Sequence, residues 1–379
     1  MKKTYKILIF ILIFFSSFSL FKESAFCLDF TDLFATSDSE KASAGSGKIF
    51  YFLPPQDDKD FFSSISDLSI CRSRHVRKFI FLYLNEGREY LTAALTRSNR
   101  YLRRIEEIFS ENSDIPKDIA LLPLLESAFN PYAVSRSKAV GLWQFLKGTS
   151  RPLKLKVNNW VDERRNVEKS TQAAIKHLRN LYSMFGSWEL ALASYNGGAG
   201  YIKRSMIKTR SRSVTELLES GYLKRETNEY LYRFAALLVI YKNQKLFDIG
   251  DEAASPIAAE TEKIVFEYPV KIKVAATLAD VPVETLKSLN PELNQNITPP
   301  FEKKYTLIVP KGCKAKLENN ITSLYDIKFN NLKKHVVKKG ECISRIASLY
   351  KTQVKKIMLF NNLKNPGSIK PGLELYIPI

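Results

Sequence analysis

The sequence predicts a mainly α-helical domain followed by small α+β units, and three observations lead there. From Val76 to about residue 245, apolar side chains recur at spacings of three and four, the period of a helix face turned to a core. Beyond an Ala-containing segment, 251–260, the pattern changes to short apolar runs that flank short helices. That later part also repeats itself at one offset: Ala276 matches Ala347, Val283 matches Val354, Leu286 matches Ile357 and Asn290 matches Asn361.

Within the helical part, Phe79, Tyr83, Tyr90, Leu91, Ala94 and Leu95 share a stripe, and Leu102, Ile105 and Ile108 make the next. Ser113-Asp114 before Pro116 signals a helix start, with Asp118 well placed against the helix dipole. That helix carries Glu126, is expected to kink at Pro123, and ends at Asn130-Pro131. Ser170-Thr171 is the expected start of an amphipathic helix through Ala174, Leu178, Leu181 and Tyr182, stopped by Gly186. Ser187 can cap the next, Trp188 to Tyr195, closed by Asn196-Gly197-Gly198 with Asn and Gly in left-handed conformation, and a long helix spans about Thr227–Tyr241. In the repeat, strand candidates precede each copy at Val265–Tyr268 and His335–Lys338 and follow at Thr306–Pro310 and Glu374–Pro378.

The chain has 379 residues, 45% of them hydrophobic, enough for two or three domains. Lys2 and Lys3 precede an apolar stretch from Ile7 to Phe21 that falls short of the roughly 20 residues needed to span hydrocarbon, so a secretory leader over 1–27 is expected. Cleavage after Cys27, lipidation of Cys27 and an uncleaved leader all stay open, although Phe26 disfavours lipidation. The formal charge of +19 calls for an anionic partner, carboxylate-rich surface peptides or anionic lipid for an exported chain, and the dispersal of Lys and Arg suits general adhesion and gives no nucleic-acid reading head. The three histidines, His75, His177 and His335, stand too far apart for a metal site; surface or packing roles are expected, and no cofactor is called for. Among the cysteines, Cys313 with Cys342 is the pair to test for a disulfide, against free buried thiols.

Glu126 ends an apolar run, Ile119-Ala120-Leu121-Leu122-Pro123-Leu124-Leu125, and is followed by Ser127. A carboxyl in such surroundings is costly to ionise, and the raised pKa suits a general acid near neutral pH. No partner carboxylate is offered nearby: Asp162-Glu163-Arg164-Arg165 reads as local ion pairs at a helix start. Downstream stand Gly141-Leu142-Trp143-Gln144, Ala193-Ser194-Tyr195-Asn196-Gly197-Gly198 and Glu226-Thr227-Asn228-Glu229-Tyr230. With these four ordered motifs the sequence resembles the lytic transglycosylases of the soluble-lytic type, and within them the membrane-bound lytic murein transglycosylase D group, in which a transglycosylase domain precedes LysM modules.

The resemblance implies a goose-lysozyme-like catalytic domain followed by βααβ LysM modules. The expected domains are a signal peptide at 1–27, a linker at 28–75, the catalytic domain at 76–250, a degenerate LysM-like module at 262–311 and a LysM module at 333–379. It implies that Glu126 serves first as acid and then as base, cleaving the bond between N-acetylmuramic acid and N-acetylglucosamine without water to leave a 1,6-anhydro end. Ser127, Gln144, Tyr195, Asn196 and Tyr230 would bind substrate or orient Glu126. Trp143 is either a stacking face or buried core. In the last module, Gly340-Glu341-Cys342-Ile343-Ser344 stands where the LysM family has Gly-Asp-Thr-Leu-Ser, making Gly340, Glu341, Ile343 and Asn361 its glycan-binding candidates. The first copy lacks that glycine-led turn, which leaves open whether it binds glycan or serves as a spacer. Expected partners are peptidoglycan glycan strands, with membrane association through a lipid or the leader, and cell-wall enzyme complexes, left open. Muramidase hydrolysis on the same fold and a catalytically silent wall-binding protein are the alternatives.

Overall fold

The computed structural model describes residues 66, 68–250, 260–300, 302, 304–320, 332–361 and 363–378. The leader, Cys27 and most of the linker expected at 28–75 lie outside the described residues, as does most of the Ala-containing segment. The first unit is all-helical: α1 His75–Leu84, α2 Arg88–Ser98, α3 Leu102–Ser110, α4 Leu122–Ser127, α5 Lys147–Ser150, α6 Val167–Phe185, α7 Trp188–Gly197, α8 Ala199–Thr209, α9 Val214–Glu219 and α10 Arg225–Lys242. The unit begins earlier than Val76, because Leu68, Ile70 and Cys71 are buried in its core.

α10 is the axis of this unit. Tyr230, Leu231, Phe234, Ala235, Leu237, Leu238 and Ile240 are all buried, so the helix is apolar nearly all round and must be enclosed. α3 shows the one-sided pattern instead, with Leu102, Ile105, Ile108 and Phe109 buried and Arg103, Arg104, Glu106 and Glu107 outward. α6 starts three residues before the expected Ser170, since Asn166 supplies the cap by accepting from the Lys169 amide. Gly186, at φ 68°, ends it, and Ser187 caps α7 by accepting from the Leu190 amide. Asn196 and Gly197 remain helical; Gly198 follows with a positive φ of 85° but an extended ψ of 135°, outside the left-handed helical well.

Each later unit pairs one antiparallel two-stranded ladder with two short helices. β1 Thr261–Phe266 pairs with β2 Tyr305–Pro310 in the register Thr261↔Pro310 to Phe266↔Tyr305, around α11 Ile272–Ala279 and α12 Val283–Leu289. A further helix, α13 Cys313–Asn319, follows and packs Leu317 into the same core. β3 Leu332–Val336 pairs with β4 Glu374–Pro378, around α14 Ile343–Leu349 and α15 Val354–Phe360. A two-stranded ladder is marginal alone, so helix and strand share one buried core: Leu286 of α12 with Leu307 and Val309 of β2 in the first copy, Ile346 of α14 and Ile357 of α15 with Ile377 of β4 in the second.

The repeated asparagine is a clamp in both copies. Asn290 donates to the Leu286 and Ile308 carbonyls and accepts from the Ile308 amide, while Asn361 donates to Ile357 and Tyr376 and accepts from the Tyr376 amide. Each locks the second helix to the last strand. The Cys313–Cys342 pair does not form: Cys313 is buried in the first module, Cys342 is exposed in the second, and both are free thiols. Among the described residues no helix is long and apolar enough to cross a membrane.

Candidate active site

Glu126 sits in the last turn of α4. The expected single kinked helix is two elements, a 3₁₀ turn at Lys117–Leu121 and then α4, whose second residue is Pro123. There the missing proline N–H falls among amides that lack a helical partner anyway, so the residue starts a helix and does not kink one. α4 ends at Ser127, three residues before Asn130. Ala128 and Phe129 follow in the left-handed region, at φ 49° and 56°, and Gln144 shares it at 47°. Non-glycine residues there are strained, and such strain clusters at functional sites.

The Glu126 carboxyl is half-buried and accepts a 2.5 Å hydrogen bond at Oε1 from the Tyr230 hydroxyl on α10. Burial pushes its pKa from 4.5 up to about 7; the Tyr230 bond pulls the other way, and the charge of Glu226 adds to the rise. Tyr195, at the end of α7, donates to the Trp143 carbonyl at 2.6 Å. Burial and then the nearby Glu126 charge drive the Tyr195 hydroxyl well above its ordinary pKa, so it stays a neutral donor.

The Gly141–Gln144 loop is fixed from both sides. Ser127 Oγ donates to the Leu142 carbonyl at 2.9 Å and to Pro123 at 3.2 Å, tying the loop to the helix of Glu126. Its hydroxyl proton is thus directed at main chain. Trp143 is fully buried, its indole donating to Thr171 Oγ1 at 3.0 Å and its ring stacked on Phe109, which makes it core and not a stacking face for sugar. Gly141, at φ 88°, is required by the Arg164 backbone: an added Cβ would lie 2.0 Å from the Arg164 carbonyl oxygen.

Gln144 folds its amide back, Nε2 donating to Gly141 at 2.8 Å and Ala133 at 3.3 Å. Its Oε1 is buried without a partner, a free acceptor beside the site. Asn196 occupies the last turn of α7, partly exposed. The structure thus brings Glu126, Tyr230, Tyr195, Ser127 and the Gln144 loop into one connected array.

Two participants were not anticipated. His177, on α6, packs against Tyr195 at 5.4 Å between ring centroids and against Phe145 at 6.2 Å. The buried Asp162–Arg164 pair, expected only as local ions, is bidentate at 2.7–2.8 Å, and Arg164 also donates to the Phe145 carbonyl at 3.0 Å. Only the fold reveals that it holds the Gln144 loop. Among the described residues no cluster could hold a metal ion.

The glycan candidates of the last module occupy structural positions. Ile343 is buried, and Asn361 has its amide saturated by main chain. The Glu341 carboxylate is held by His335 Nε2 and the Lys338 amide, both at 2.8 Å. Gly340, at φ 81°, provides the exposed turn. Three of the four thus build the module, and neither Ile343 nor Asn361 has a free group to offer a sugar.

Comparison with known proteins identifies the domains. Residues 105–217 match the Transglycosylase SLT domain, residues 260–326 the LysM-like domain of the lytic transglycosylase MltD, and residues 335–378 the LysM domain. The membrane-bound lytic murein transglycosylase D of Escherichia coli (strain K12) is 28% identical over 334 residues, covering 84% of this chain and 73% of that protein. Membrane-bound lytic murein transglycosylase C of Edwardsiella ictaluri is 27% identical over 163 residues, 36% of this chain and 45% of that protein. A peptidoglycan transglycosylase of Escherichia phage T7 is 36% identical over 89 residues, 23% of this chain and 7% of that protein. An SLT transglycosylase domain, a LysM-like module of the MltD kind and a LysM module, in that order, make this chain an MltD-like lytic transglycosylase.

Proposed function

We propose that the chain cleaves peptidoglycan glycan strands without water, with Glu126 as the only acid and base. The observation that carries this is the Glu126 carboxyl itself, lifted to about 7 by burial yet hydrogen-bonded to Tyr230. Near ambient pH such a group is populated in both protonation states, which a residue acting in both directions needs.

In the first half, protonated Glu126 gives its proton to the oxygen joining N-acetylmuramic acid to N-acetylglucosamine. That C1–O bond breaks while the muramic acetamido oxygen supports the cationic C1. In the second half the C6 hydroxyl oxygen of the same sugar bonds to C1, and its proton passes to the Glu126 carboxylate. The acid is regenerated and the product carries a 1,6-anhydro ring.

Tyr230 orients the carboxyl, and Tyr195 is its neutral neighbour. The unpaired Oε1 of Gln144 suits an amide donor of the substrate, such as an acetamido N–H. Asn196, partly exposed beside Tyr195, is the remaining substrate contact. The LysM module holds the enzyme to the wall, and the basic charge favours the carboxylates there. The apolar leader at Ile7–Phe21 supports export to the cell envelope.

Digestion of purified sacculi followed by mass spectrometry tests the reading. Anhydro-muramic ends are expected from the wild type and none from Glu126→Gln. Reducing muramic ends would replace it with the muramidase reading, and binding without turnover would leave a wall-binding protein.

A further inference from the structure

The two modules of the repeat share a fold but meet the helical unit differently: in the second, the Leu359 carbonyl accepts from the Trp160 indole at 3.1 Å and the Phe360 ring packs against it. In the second, residues 364–368, after the Asn361 clamp, are exposed. In the first, the segment after the Asn290 clamp runs into the helical unit. Glu292 is 4% exposed; its main-chain oxygen accepts from the Asp162 amide at 2.8 Å, and its Oε1 accepts from Asn166 Nδ2 at 2.9 Å. Leu293 forms a bridge with Val161, the Asn294 amide donates to the Trp160 carbonyl at 2.8 Å, and the Asn294 side chain donates to Asn158 at 3.0 Å. Tyr132 donates in turn to the Lys287 carbonyl, and Lys156 pairs with Glu302 at 2.6 Å.

All but one of these contacts fall on one segment, 156–166, and that segment leads to the site. Asp162, held by Glu292, pairs with Arg164; Arg164 donates to Phe145, and its own carbonyl lies where Gly141 can carry no Cβ. Asn166, held by the Glu292 carboxyl, caps α6, which carries the Thr171 partner of Trp143. Glu292 Oε2 is buried with no partner. An orphaned buried carboxylate oxygen is costly, and it persists where the surrounding contacts over-determine the position.

We propose that the first LysM-like module is a brace of the catalytic unit, with Glu292 as a positioning residue that holds segment 156–166 against the loop presenting Gln144 and the Trp143 carbonyl. Its effect on turnover rests on the function proposed above; its effect on the loop does not. Loosening a substrate-positioning loop raises KM, and a misplacement of ~1 Å can cost on the order of a hundredfold.

The test uses the full chain with Glu292→Ala, Glu292→Gln and Asn294→Ala. Hydrogen exchange of the Gly141, Gln144 and Phe145 amides reads the brace without any substrate. Glu292→Ala is expected to speed exchange there on the order of tenfold and to leave the interior of α10 unchanged. Unchanged exchange at 141–145, or acceleration spread evenly over α10, overturns the proposal. If Glu292→Ala does not fold, the milder Asn294→Ala carries the same measurement.

Turnover of soluble glycan fragments separates bracing from wall anchoring. A KM raised roughly tenfold for Glu292→Ala, largely restored in Glu292→Gln, is expected. KM equal to wild type on these fragments, with loss seen only on intact sacculi, would make the module an anchor and sink the proposal. If the wild type yields no anhydro ends, the function fails, while the exchange measurement still decides the brace.

Discussion

Replacing Glu126 by Gln should make the catalytic domain more stable at alkaline pH while abolishing activity. The folded protein holds the Glu126 proton more tightly than the unfolded chain does, with a pKa of about 7 against an ordinary 4.5. A carboxyl raised in the fold contributes stability that is fully present below pH 4.5 and lost as pH rises through 7. At 1.36 kcal/mol per pH unit, that loss amounts to about 3 kcal/mol. The figure is a ceiling, because the carboxyl keeps some contact with solvent. The glutamine has no proton to lose and keeps an oxygen for the Tyr230 hydroxyl. The difference between variant and wild type should therefore be near zero at pH 4, grow between pH 4.5 and 7, and level off above 8. For a domain of this size, ~3 kcal/mol corresponds to roughly 6–12 °C in Tm. Thermal unfolding followed by circular dichroism at a series of pH values measures it. A Tm difference that stays flat from pH 4 to 9 would refute the reasoning, since burial would then impose no net cost on the charged form.

Tyr230→Phe removes a donor to the carboxylate, a bond to a charged group worth about 1.5–3 kcal/mol. The alkaline limb of kcat, followed by anhydro-end release, should move upward by roughly 1–2 pH units; a limb that does not move would assign Tyr230 to packing alone. Asn361→Ala leaves the Tyr376 amide and two carbonyls without their clamp and should destabilise the last module by about 2–3 kcal/mol. Urea-dependent hydrogen exchange over 332–378 would register this, with turnover of soluble glycan retained; a normal transition would reopen a direct sugar contact for Asn361.

The local physics of the chain was largely legible. Ser187 caps α7 and Gly186 ends α6 as expected, because both act within a few residues of their own position. The start of α6 was missed because Asn166 competes with Ser170 and Thr171 as a cap, and the polar face of those two serves burial instead: Thr171 receives the Trp143 indole. Pro123 was read as a kink because the sequence alone does not mark the break between the 3₁₀ turn and α4. Motif order located Glu126, Tyr230 and the Gln144 loop, yet a motif does not tell which way a side chain turns. Ser127 and Asn361 point into main chain, and Ile343 points into the core. The bracing contact was illegible for a simpler reason: Glu292 lies 126 residues beyond Asn166, and nothing periodic connects them.

The proposed single-carboxylate site is a balance between two opposed influences. Burial of α4, whose own Leu122 and Leu124 lie in the core, disfavours the charge on Glu126, while the Tyr230 bond favours it. Either influence alone would bias the residue to one task. With burial unopposed, the carboxyl would hold its proton well above neutrality and be a poor donor to the glycosidic oxygen in the first half. With the hydrogen bond in a solvated setting, it would sit in the usual carboxylate range and rarely carry the proton the first half requires. The acid form must exist before bond cleavage and the base form after it, so a value near ambient pH serves both halves of the cycle. α4 and α10 are packed against each other in one core, so the balance is set by the fold and not by the loop. In the proposed mechanism the loop is what positions the sugar, so the two properties should separate: substitutions at Tyr230 should move the pH profile, and substitutions at Glu292 should move KM.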